Sequence, residues 1–248
     1  MNCRTLLIAT LASTLYAGVT ASAAPDLDQL LKKSDAARSG SSAGMTWKIE
    51  LVSEDKGTHT ESTFLVKTKG GRGLVEALSP PRSKGEIYLF QDRLLWFFKP
   101  GMSRPVSLST RQRLSGQASN GDIAYTNYAG DYNPTYLKDE NVDGVPCHML
   151  LLEAKGKDTT YDKINYWISK TGSQGLKAEF LALDGTVMKK GKFKYGQIIK
   201  VNGKNLDFVK EMHIEDAQNS KNFSTMRFST PKTDKHSDSI FNVNNLRR

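Results

Sequence analysis

The sequence predicts a mainly β (α+β) domain of about eleven strands, with one helix in front and a partly helical insertion in the middle. Apolar and polar residues alternate with a period of two in most segments after residue 44, as in the run 45–51. Short turn signals such as Asp184-Gly185 separate these segments. Only the stretch 27–37 repeats its apolar residues near helical spacing. The predicted architecture is therefore an antiparallel sheet with little helix.

The front helix is predicted to begin after Asp26, whose carboxylate can accept hydrogen bonds from the first helical turn. The glycine- and serine-rich stretch 40–44 ends it. One face of the helix carries its apolar residues, Leu27, Leu30, Leu31 and Ala37.

Five strands are predicted in the first half of the chain, joined by short turns into a meander: 45–51, 64–69, 72–78, 86–90 and 94–98. The run from Leu94 to Phe98 is apolar at every position, so both of its faces should be covered, one of them by a lid or a ligand.

Residues 101–140 interrupt the alternation with mixed polar and aromatic content. We interpret them as loop and short helices, with one further short strand at 102–109 as an alternative. Long irregular insertions in compact β domains are more often functional than accidental, so we expect this one to act as a lid. The remaining strands are predicted at 145–153, 161–169, 176–183, 187–195, 205–214 and 225–230.

Residues 1–23 have the layout of a secretory signal peptide. Arg4 provides the positive charge, a mostly apolar run extends from Leu6 to Val19, and Ala21-Ser22-Ala23 fits a cleavage site. We predict cleavage after Ala23, which leaves a single exported domain of residues 24–248. The apolar run is too short and too interrupted to span a bilayer stably.

Export would remove Cys3 and leave Cys147 as the one cysteine of the mature chain, so no internal disulfide is predicted. Cys147 lies in an apolar run, and free cysteine usually packs as a small buried residue. We favour burial over the alternative of a reactive thiol.

The chain carries 35 lysine and arginine residues against 26 acidic ones, a formal net charge of +9. Lysines spread along predicted strands are usually solvated and also discourage association of sheet edges. The alternative is attraction of anionic lipid headgroups or acidic partners. Nucleic acid is disfavoured, because an exported chain does not meet it and no basic run is interleaved with aromatic residues.

Enzymatic chemistry has little support in the sequence. The histidines at 59, 148, 213 and 236 form no zinc-binding spacing, and nucleophile-elbow, phosphate-loop and dinucleotide motifs do not occur. We predict no metal, no cofactor and no catalytic residue. Glu211, His213 and Glu215 share one face of a predicted strand, which we interpret as a solvent-facing row rather than a catalytic pair. Asp122 and Asp131 lie near tyrosines in the insertion, where they serve as caps or orient a polar ligand.

A series of motifs between residues 70 and 128 occurs in a distinctive order. A Pro-x-x-x-x-Gly turn spans 80–85, a Leu-Trp-x-x-x-Pro strand spans 95–100, and a Gly-Asp-x-x-Tyr segment spans 121–125. In this order they resemble the LolA-like family of outer membrane lipoprotein-sorting proteins, which are periplasmic carriers. Weaker similarity continues through 143–147, 166–168 and 241–246, so the resemblance covers most of the mature chain.

The resemblance implies an open, curved antiparallel half-barrel with helices covering its concave face. It also implies a carrier that binds the acyl chains of a lipoprotein or lipid in a hydrophobic cavity and ferries it between membranes. Such a carrier would receive cargo from an inner-membrane transporter and contact membranes transiently. A carrier must shield the acyl chains from water, because each exposed CH₂ costs about 0.8 kcal/mol.

We assign the cavity to large apolar side chains on the first strands: Trp47, Ile49, Phe64, Leu89, Trp96 and Phe98. A large solid β core is the alternative explanation for these residues. Arg72, Arg82 and Lys84 flank the turn at 80–85 and are candidates for contact with the lid or a lipid headgroup. Family carriers hold the closed lid with an arginine on an early strand, for which Arg72 is the candidate. Exposed turn charges are the alternative.

Two further functions remain open at the level of sequence. One is an envelope sensor or adaptor module that binds a lipidated or hydrophobic partner without transporting it. The other is a hydrolase with an unrecognised site. A carrier moves cargo between two populations of vesicles, whereas a sensor only holds it.

Overall fold

The structure, a computed structural model, describes residues 25–40, 44–91, 93–123 and 126–246. The predicted signal peptide 1–23, its cleavage site after Ala23, and Cys3 lie outside the described residues. Within the described ranges, no helix combines the length and apolar character required to cross a membrane.

Helix α1 spans Leu27–Ser39 and has the predicted cap. The Asp26 side chain accepts a hydrogen bond from the backbone N–H of Gln29 at 3.0 Å. Gly40 follows the helix at φ +83°, a left-handed backbone conformation that glycine adopts without steric cost. Four of the six buried residues of the helix are polar: Leu31, Ser34, Asp35, Ala37, Arg38 and Ser39. Leu27 and Leu30 pack against the core while only partly buried.

The strands follow in chain order: β1 Met45–Asp55, β2 Thr58–Lys69, β3 Arg72–Ser79, β4 Ile87–Gln91, β5 Leu94–Phe98, β6 Val106–Leu108, β7 Arg113–Ser115, β8 Ala118–Ser119, β9 Tyr132–Val142, β10 Val145–Ala154, β11 Lys163–Ser169, β12 Gly175–Leu181, β13 Val187–Val201, β14 Lys204–Asp216 and β15 Phe223–Thr233. Helix α2 is a single turn, Tyr128–Asp131, directly before β9. Short 3₁₀ turns occur at Asn120–Asp122, Asp238–Phe241 and Val243–Asn245.

Thirteen strands form one antiparallel sheet in the order β6-β5-β4-β3-β2-β1-β15-β14-β13-β12-β11-β10-β9. The two halves of the chain join where β1 pairs with β15, with Ile49 opposite Phe228. The outer strands β6 and β9 do not pair with each other, so the curved sheet stays open. The prediction of an open antiparallel half-barrel is confirmed.

The strand count of about eleven was too low, mainly because of β9. Residues 101–140 were predicted as an irregular insertion, with a short strand at 102–109 as an alternative, but Tyr132–Val142 is a long strand at the sheet edge. Most of its residues are exposed on both faces, so no apolar alternation marks it. Strands β7 and β8 are too short to show a period and form a separate hairpin. The irregular part therefore ends at Asp131.

The main core lies on the concave face of the sheet, beneath α1 and the insertion. Trp47 packs edge-on against Phe208 with ring centroids 5.3 Å apart, and Tyr161 stacks on Phe180 at 4.0 Å. Leu31 brings α1 into the same cluster. Helices therefore cover the concave face, as predicted.

A second, smaller core lies on the opposite face of β3, β4 and β5. The C-terminal 3₁₀ segment covers it with Phe241 and Leu246. Both faces of β5 are buried, as the apolar run predicted, but the second face is covered by the C-terminus of the chain and not by a lid or a ligand. Sequence patterns did not indicate this cover, because the contact joins residues far apart in the chain.

Cys147 on β10 is fully buried, as predicted. Its Sγ donates to the carbonyl oxygen of Val145 at 3.3 Å. Burial raises the pKa of the thiol, which keeps it protonated and unreactive at neutral pH.

Candidate binding site

An open cleft with a volume of about 510 Å³ lies where the β2–β3 and β4–β5 turns meet the insertion. Phe90 and Leu94 give one wall an apolar surface, while Arg72, Arg93 and Asp131 bring charge to the rim. The cleft thus offers apolar and charged surface side by side, as an amphiphilic ligand requires.

The cleft continues toward the interior through two small voids. It shares Gly121, Asn127, Asp131 and Thr160 with a void of about 30 Å³. That void in turn shares its inner lining with a second one of about 10 Å³, which reaches Trp47. A continuous line of lining residues therefore leads from solvent to the concave core.

The concave face itself is filled in this arrangement. The larger void has about the volume that one molecule occupies in liquid water, ~30 Å³, which is far too small for an acyl chain. Neither of the two voids between the sheet and its helices is therefore of acyl size. An acyl site on the concave face requires its cover, formed by α1 and α2, to move.

Helices α1 and α2, which we call the cover, are joined mainly by polar contacts. The Asp35 side chain accepts a hydrogen bond from the backbone N–H of Ala129 at 2.9 Å. Ser39 Oγ donates to the carbonyl oxygen of Thr126, also at 2.9 Å. Each such bond contributes only about 1 kcal/mol net.

Arg38 lies at the centre of the cover and is only 5 % exposed. Its guanidinium lies 4.9 Å from the ring centroid of Tyr128 on α2 and 4.4 Å from that of Phe193 on β13. Cation–π contacts at desolvated sites contribute about 2 kcal/mol or more. Arg38 thereby connects α1, α2 and the sheet.

Buried acids surround this arginine. Burial raises the pKa of the Asp35 carboxyl to about 7, and backbone hydrogen bonds and the charge of Arg38 offset only part of that effect. Burial also raises the pKa of Asp122, whose carboxylate accepts hydrogen bonds from the Ser119 N–H and the Tyr161 hydroxyl, both at 2.8 Å. The positive charge of Arg38 lowers both pKa values, so it stabilises both carboxylates in their ionised form.

Several polar atoms beneath the cover have no hydrogen-bond partner in the protein. Three of the five such buried side-chain atoms in the described residues are Asp35 Oδ1, Arg38 Nη1 and Trp47 Nε1. Each unsatisfied buried group costs roughly 1–3 kcal/mol. These unpaired groups therefore destabilise the closed cover. Opening the cover would let water bind to them and remove this cost.

The predicted cavity residues divide between the two faces of the sheet. Trp47, Ile49 and Phe64 point into the concave core, as expected of cavity residues. Leu89, Trp96 and Phe98 belong to the opposite cluster beneath the C-terminal segment, so their assignment to a concave cavity was wrong. Side chains alternate along a strand, and their neighbours Phe90 and Leu95 face the concave side instead.

Of the three predicted basic contacts, only Arg72 lines the cleft. Its Nη2 lies 2.5 Å from Asp238 Oδ1, and its guanidinium lies 5.1 Å from the ring centroid of Phe241. It therefore holds the C-terminal segment and does not contact the cover. Arg82 and Lys84 are exposed in the turn beyond the cleft.

Replacing Arg72 with leucine is expected to lower the free energy of unfolding by only about 1 kcal/mol, because the ion pair it removes is partly exposed. The C-terminal segment should loosen, and amide exchange should accelerate at 238–246 but not in α1. Urea unfolding and hydrogen exchange measure both effects. Arg82→Leu is the matched control and should change neither, whereas equal effects of the two variants would contradict the proposed contact.

Arg38 and Asp35 were not predicted as site residues, although the sequence carries a signal for them. The apolar stripe of Leu27, Leu30 and Leu31 continues on the same helical face as Ser34, Asp35 and Arg38. Polar residues that continue a buried stripe indicate a buried polar site. Asp122 and Asp131 were identified, and both border the inner void.

The row Glu211, His213 and Glu215 lies on the outer, partly exposed face of β14. Glu211 pairs with Lys194 at 2.8 Å, and His213 Nδ1 lies 2.8 Å from the Thr225 hydroxyl. These are cross-strand contacts of the kind the solvent-facing interpretation predicted. The described residues contain no cluster of three or more potential metal ligands.

The chain is similar to one protein-family model and to several proteins of known structure. A sequence model of a protein family that carries the description "Uncharacterized protein" matches residues 70–248. A LolA superfamily protein from Nitrosomonas europaea is 28 % identical, with a TM-score of 0.78 over 88 % of this chain and 98 % of that one. No curated protein matches the sequence.

Two further crystal structures are similar in fold. A protein described as an outer membrane lipoprotein-sorting protein domain, from Vibrio parahaemolyticus, is 19 % identical, with a TM-score of 0.75 over 89 % of this chain and 98 % of that one. A DUF1329 family protein from Desulfovibrio piger is 23 % identical, with a TM-score of 0.73 over 88 % and 97 % of the two chains. At these identities the similarity establishes the fold alone.

Proposed function

Because the chain belongs to the LolA-like family of outer membrane lipoprotein-sorting proteins, we propose that it is a carrier that binds the acyl chains of a lipoprotein or lipid. The chains bind between the concave face of the sheet and the cover. The carrier works in the periplasm, receives cargo from an inner-membrane transporter and contacts membranes transiently. It performs no catalysis.

The observation that carries this proposal is the construction of the cover. A wide apolar face lies beneath two helices whose mutual contacts are largely polar, and α1 itself buries more polar than apolar residues. An apolar helix face would hold the cover far more strongly, because each fully buried leucine-sized side chain contributes about 1.5–3 kcal/mol. A weakly held cover over an apolar sheet suits reversible exposure.

Opening of the cover has one unfavourable and one favourable contribution to the free energy. Moving α1 exposes apolar surface of the sheet, which is unfavourable in water. It also hydrates the Arg38 guanidinium and the Asp35 carboxylate, which are poorly satisfied while the cover is closed. Acyl chains that occupy the vacated space restore apolar burial at about 0.8 kcal/mol per CH₂. The cargo thereby stabilises the open arrangement.

The cleft at the rim marks where cargo enters. It adjoins α2 and carries Arg72 and Arg93 on its border, which suits an anionic headgroup beside apolar chains. Trp47, Ile49 and Phe64 form part of the floor on which the chains lie. Leu89, Trp96 and Phe98 take no part, since they lie on the other face.

A fluorescent fatty acid tests the proposal directly. We expect saturable binding that an unlabelled fatty acid displaces. Phe64→Leu, on the concave face, should change the probe dissociation constant by about threefold or more, since it reshapes the floor by a volume comparable to a methylene or two. Absence of displaceable binding would contradict acyl binding.

Phe98→Leu is the matched control for the floor. Phe98 is as buried as Phe64, but it packs beneath the C-terminal segment on the other face. Both variants should lose a similar stability, roughly 1 kcal/mol. Only the concave variant should alter probe binding, and an equal effect of Phe98→Leu would place the probe elsewhere.

Transfer distinguishes a carrier from a sensor or adaptor. Protein loaded from donor vesicles is separated from them and offered to acceptor vesicles that lack the labelled lipid. A carrier delivers the label, whereas a sensor retains it. Mass spectrometry of an organic extract of gently purified protein identifies the natural cargo.

A further inference from the structure

The outward face of strand β13 has an unusual composition. Burial alternates along all fifteen residues of the strand, so one set of side chains faces solvent on the convex side of the sheet. Apart from Gly196, this row consists of Met188, Lys190, Lys192, Lys194, Ile198 and Lys200. Four lysines and no acid thus line a row that, at ~3.3 Å per residue, extends for roughly 40 Å.

The strands beside β13 balance this positive charge only in part. Lys190 is opposite Glu179 on β12 and Glu215 on β14, whereas Lys192 is opposite Lys177 and His213. Like charges in direct cross-strand positions, as in the pair of Lys192 and Lys177, are destabilising. No carboxylate lies within ion-pair distance of Lys190 or Lys192 among the described residues.

The nearby acids already have partners. Glu179 pairs with Lys177 at 3.0 Å, Glu211 with Lys194 at 2.8 Å, and Glu215 lies 3.6 Å from His213. Glu179 and Glu211 therefore already form ion pairs within the sheet, and the Glu211 pair takes up one lysine of the row. An external anion would relieve the repulsion that remains between Lys192 and Lys177.

Apolar side chains lie beside the lysines of the row, Met188 before them and Ile198 between Lys194 and Lys200. Met188 is 54 % exposed and Ile198 is 62 % exposed, and Leu183 in the turn before the strand is 74 % exposed. These are three of the seven large apolar side chains that are exposed in the described residues. They lie beside a row of lysines. The same surface can therefore attract an anionic partner and bury apolar side chains against it.

We propose that the outward face of β13 docks onto a bilayer that contains anionic phospholipid. Lysines at an anionic surface each strengthen binding, while apolar side chains enter the region between headgroups and acyl chains. A row of positive charge interspersed with apolar side chains fits an extended interface with a bilayer, in which the lysines contact headgroups and the apolar side chains enter below them.

Docking by this face leaves the binding site accessible. The row lies on the convex side of the sheet, whereas the cover lies on the concave side and the cleft opens at its rim. The cover can therefore open while the protein is docked. The purpose of docking rests on the proposed carrier function, but the docking itself requires no cargo and is measured without it.

Vesicle flotation tests the docking. The full mature chain is mixed with vesicles of phosphatidylcholine alone or with added phosphatidylglycerol, at low and at high salt. We expect binding to the anionic vesicles only, weakened by salt. The double substitution Lys190→Gln and Lys192→Gln should lower the partition constant by roughly ten- to thirtyfold.

The control removes the same charge from the cover side. Lys32 and Lys33 are exposed on α1, so Lys32→Gln with Lys33→Gln leaves net charge equal to that of the test variant. This pair should reduce binding by less than about twofold, because its charges lie more than a Debye length, ~10 Å, from the docked surface. Equal losses in the two variants would show attraction by net charge and overturn the proposal.

A second readout reports contact at the row itself. Ile198→Cys provides an accessible thiol for an environment-sensitive dye, because Cys147 is fully buried. The emission should shift to the blue on anionic vesicles, whereas the same dye at Lys33→Cys should not respond. No binding by the unaltered protein, no shift at residue 198, or binding to polyglutamate in place of vesicles would each overturn the proposal.

Discussion

Replacing Arg38 with leucine is expected to destabilise the closed cover by roughly 3–5 kcal/mol at neutral pH, the largest effect we expect of any single substitution in the site. The substitution removes the guanidinium that contacts Tyr128 and Phe193. It also leaves Asp35 buried without its compensating positive charge and weakens that of Asp122, which keeps Lys189. An unpaired buried carboxylate either becomes protonated or moves to water, and moving to water opens the cover.

Hydrogen exchange at 27–39 and 126–131, compared with the core amides of β1, separates opening of the cover from global unfolding. We expect faster exchange in the two helices, and stronger binding of the fluorescent fatty acid, because the open arrangement binds the probe. Lys33→Leu, at an exposed position of the same helix, should leave both measurements unchanged.

The pH dependence of the Arg38→Leu effect gives a further check. At low pH, Asp35 and Asp122 take up protons and no longer need a compensating charge. The loss of stability should therefore shrink as the pH falls. Exchange in the helices that stays slow at neutral pH would contradict the role of Arg38 in closing the cover.

Replacing Asp35 with asparagine is expected to remove most of the pH dependence of stability between pH 4 and pH 7. In the folded protein burial raises the pKa of Asp35 from 3.8 to about 7, so the folded state binds a proton more tightly than the unfolded state. This contribution is fully present below pH 3.8 and is lost as the pH rises toward 7. A shift of this size corresponds to roughly 4 kcal/mol.

Urea unfolding across this pH range measures the effect. The unaltered protein should lose stability as the pH rises, and Asp35→Asn should show a flatter profile and greater stability at pH 7. Asp122 and Asp131, whose pKa values burial also raises, act in the same direction and leave a residual slope. Asp28→Asn, at an exposed position of α1, is the control and should follow the unaltered profile. A flat profile in the unaltered protein would contradict the raised pKa.

The same titration couples the cover to pH. Because the closed arrangement retains the proton on Asp35, acid favours closure and neutral pH favours opening. Binding of the fatty-acid probe should therefore strengthen from pH 5 to pH 8 in the unaltered protein, and much less so in Asp35→Asn.

Most of the fold could be predicted because its strands have one buried face. A strand such as β1 alternates apolar and polar residues, and the alternation is visible without knowledge of its neighbours. Strand β9 could not be found in this way. It lies at the sheet edge with both faces largely exposed, so burial does not select its residues in alternation.

The site was predicted less well, for a related reason. Alternation divides β4 and β5 into two sets of side chains but does not say which set faces the helices. Leu89, Trp96 and Phe98 were assigned to the wrong face, and the decisive contact was with Phe241, far along the chain. Arg72 was expected at the lid and instead binds Asp238.

The sequence by itself determined the fold class, the front helix with its cap, most of the strands and the burial of Cys147, because each depends on local pattern or on the habits of one residue type. Only the tertiary structure decided which face of each strand is concave, what covers β5, and that Arg38 with Asp35 lies beneath α2. These depend on contacts between residues distant in sequence, whose energies arise only after the sheet has curved and the helices have packed on it.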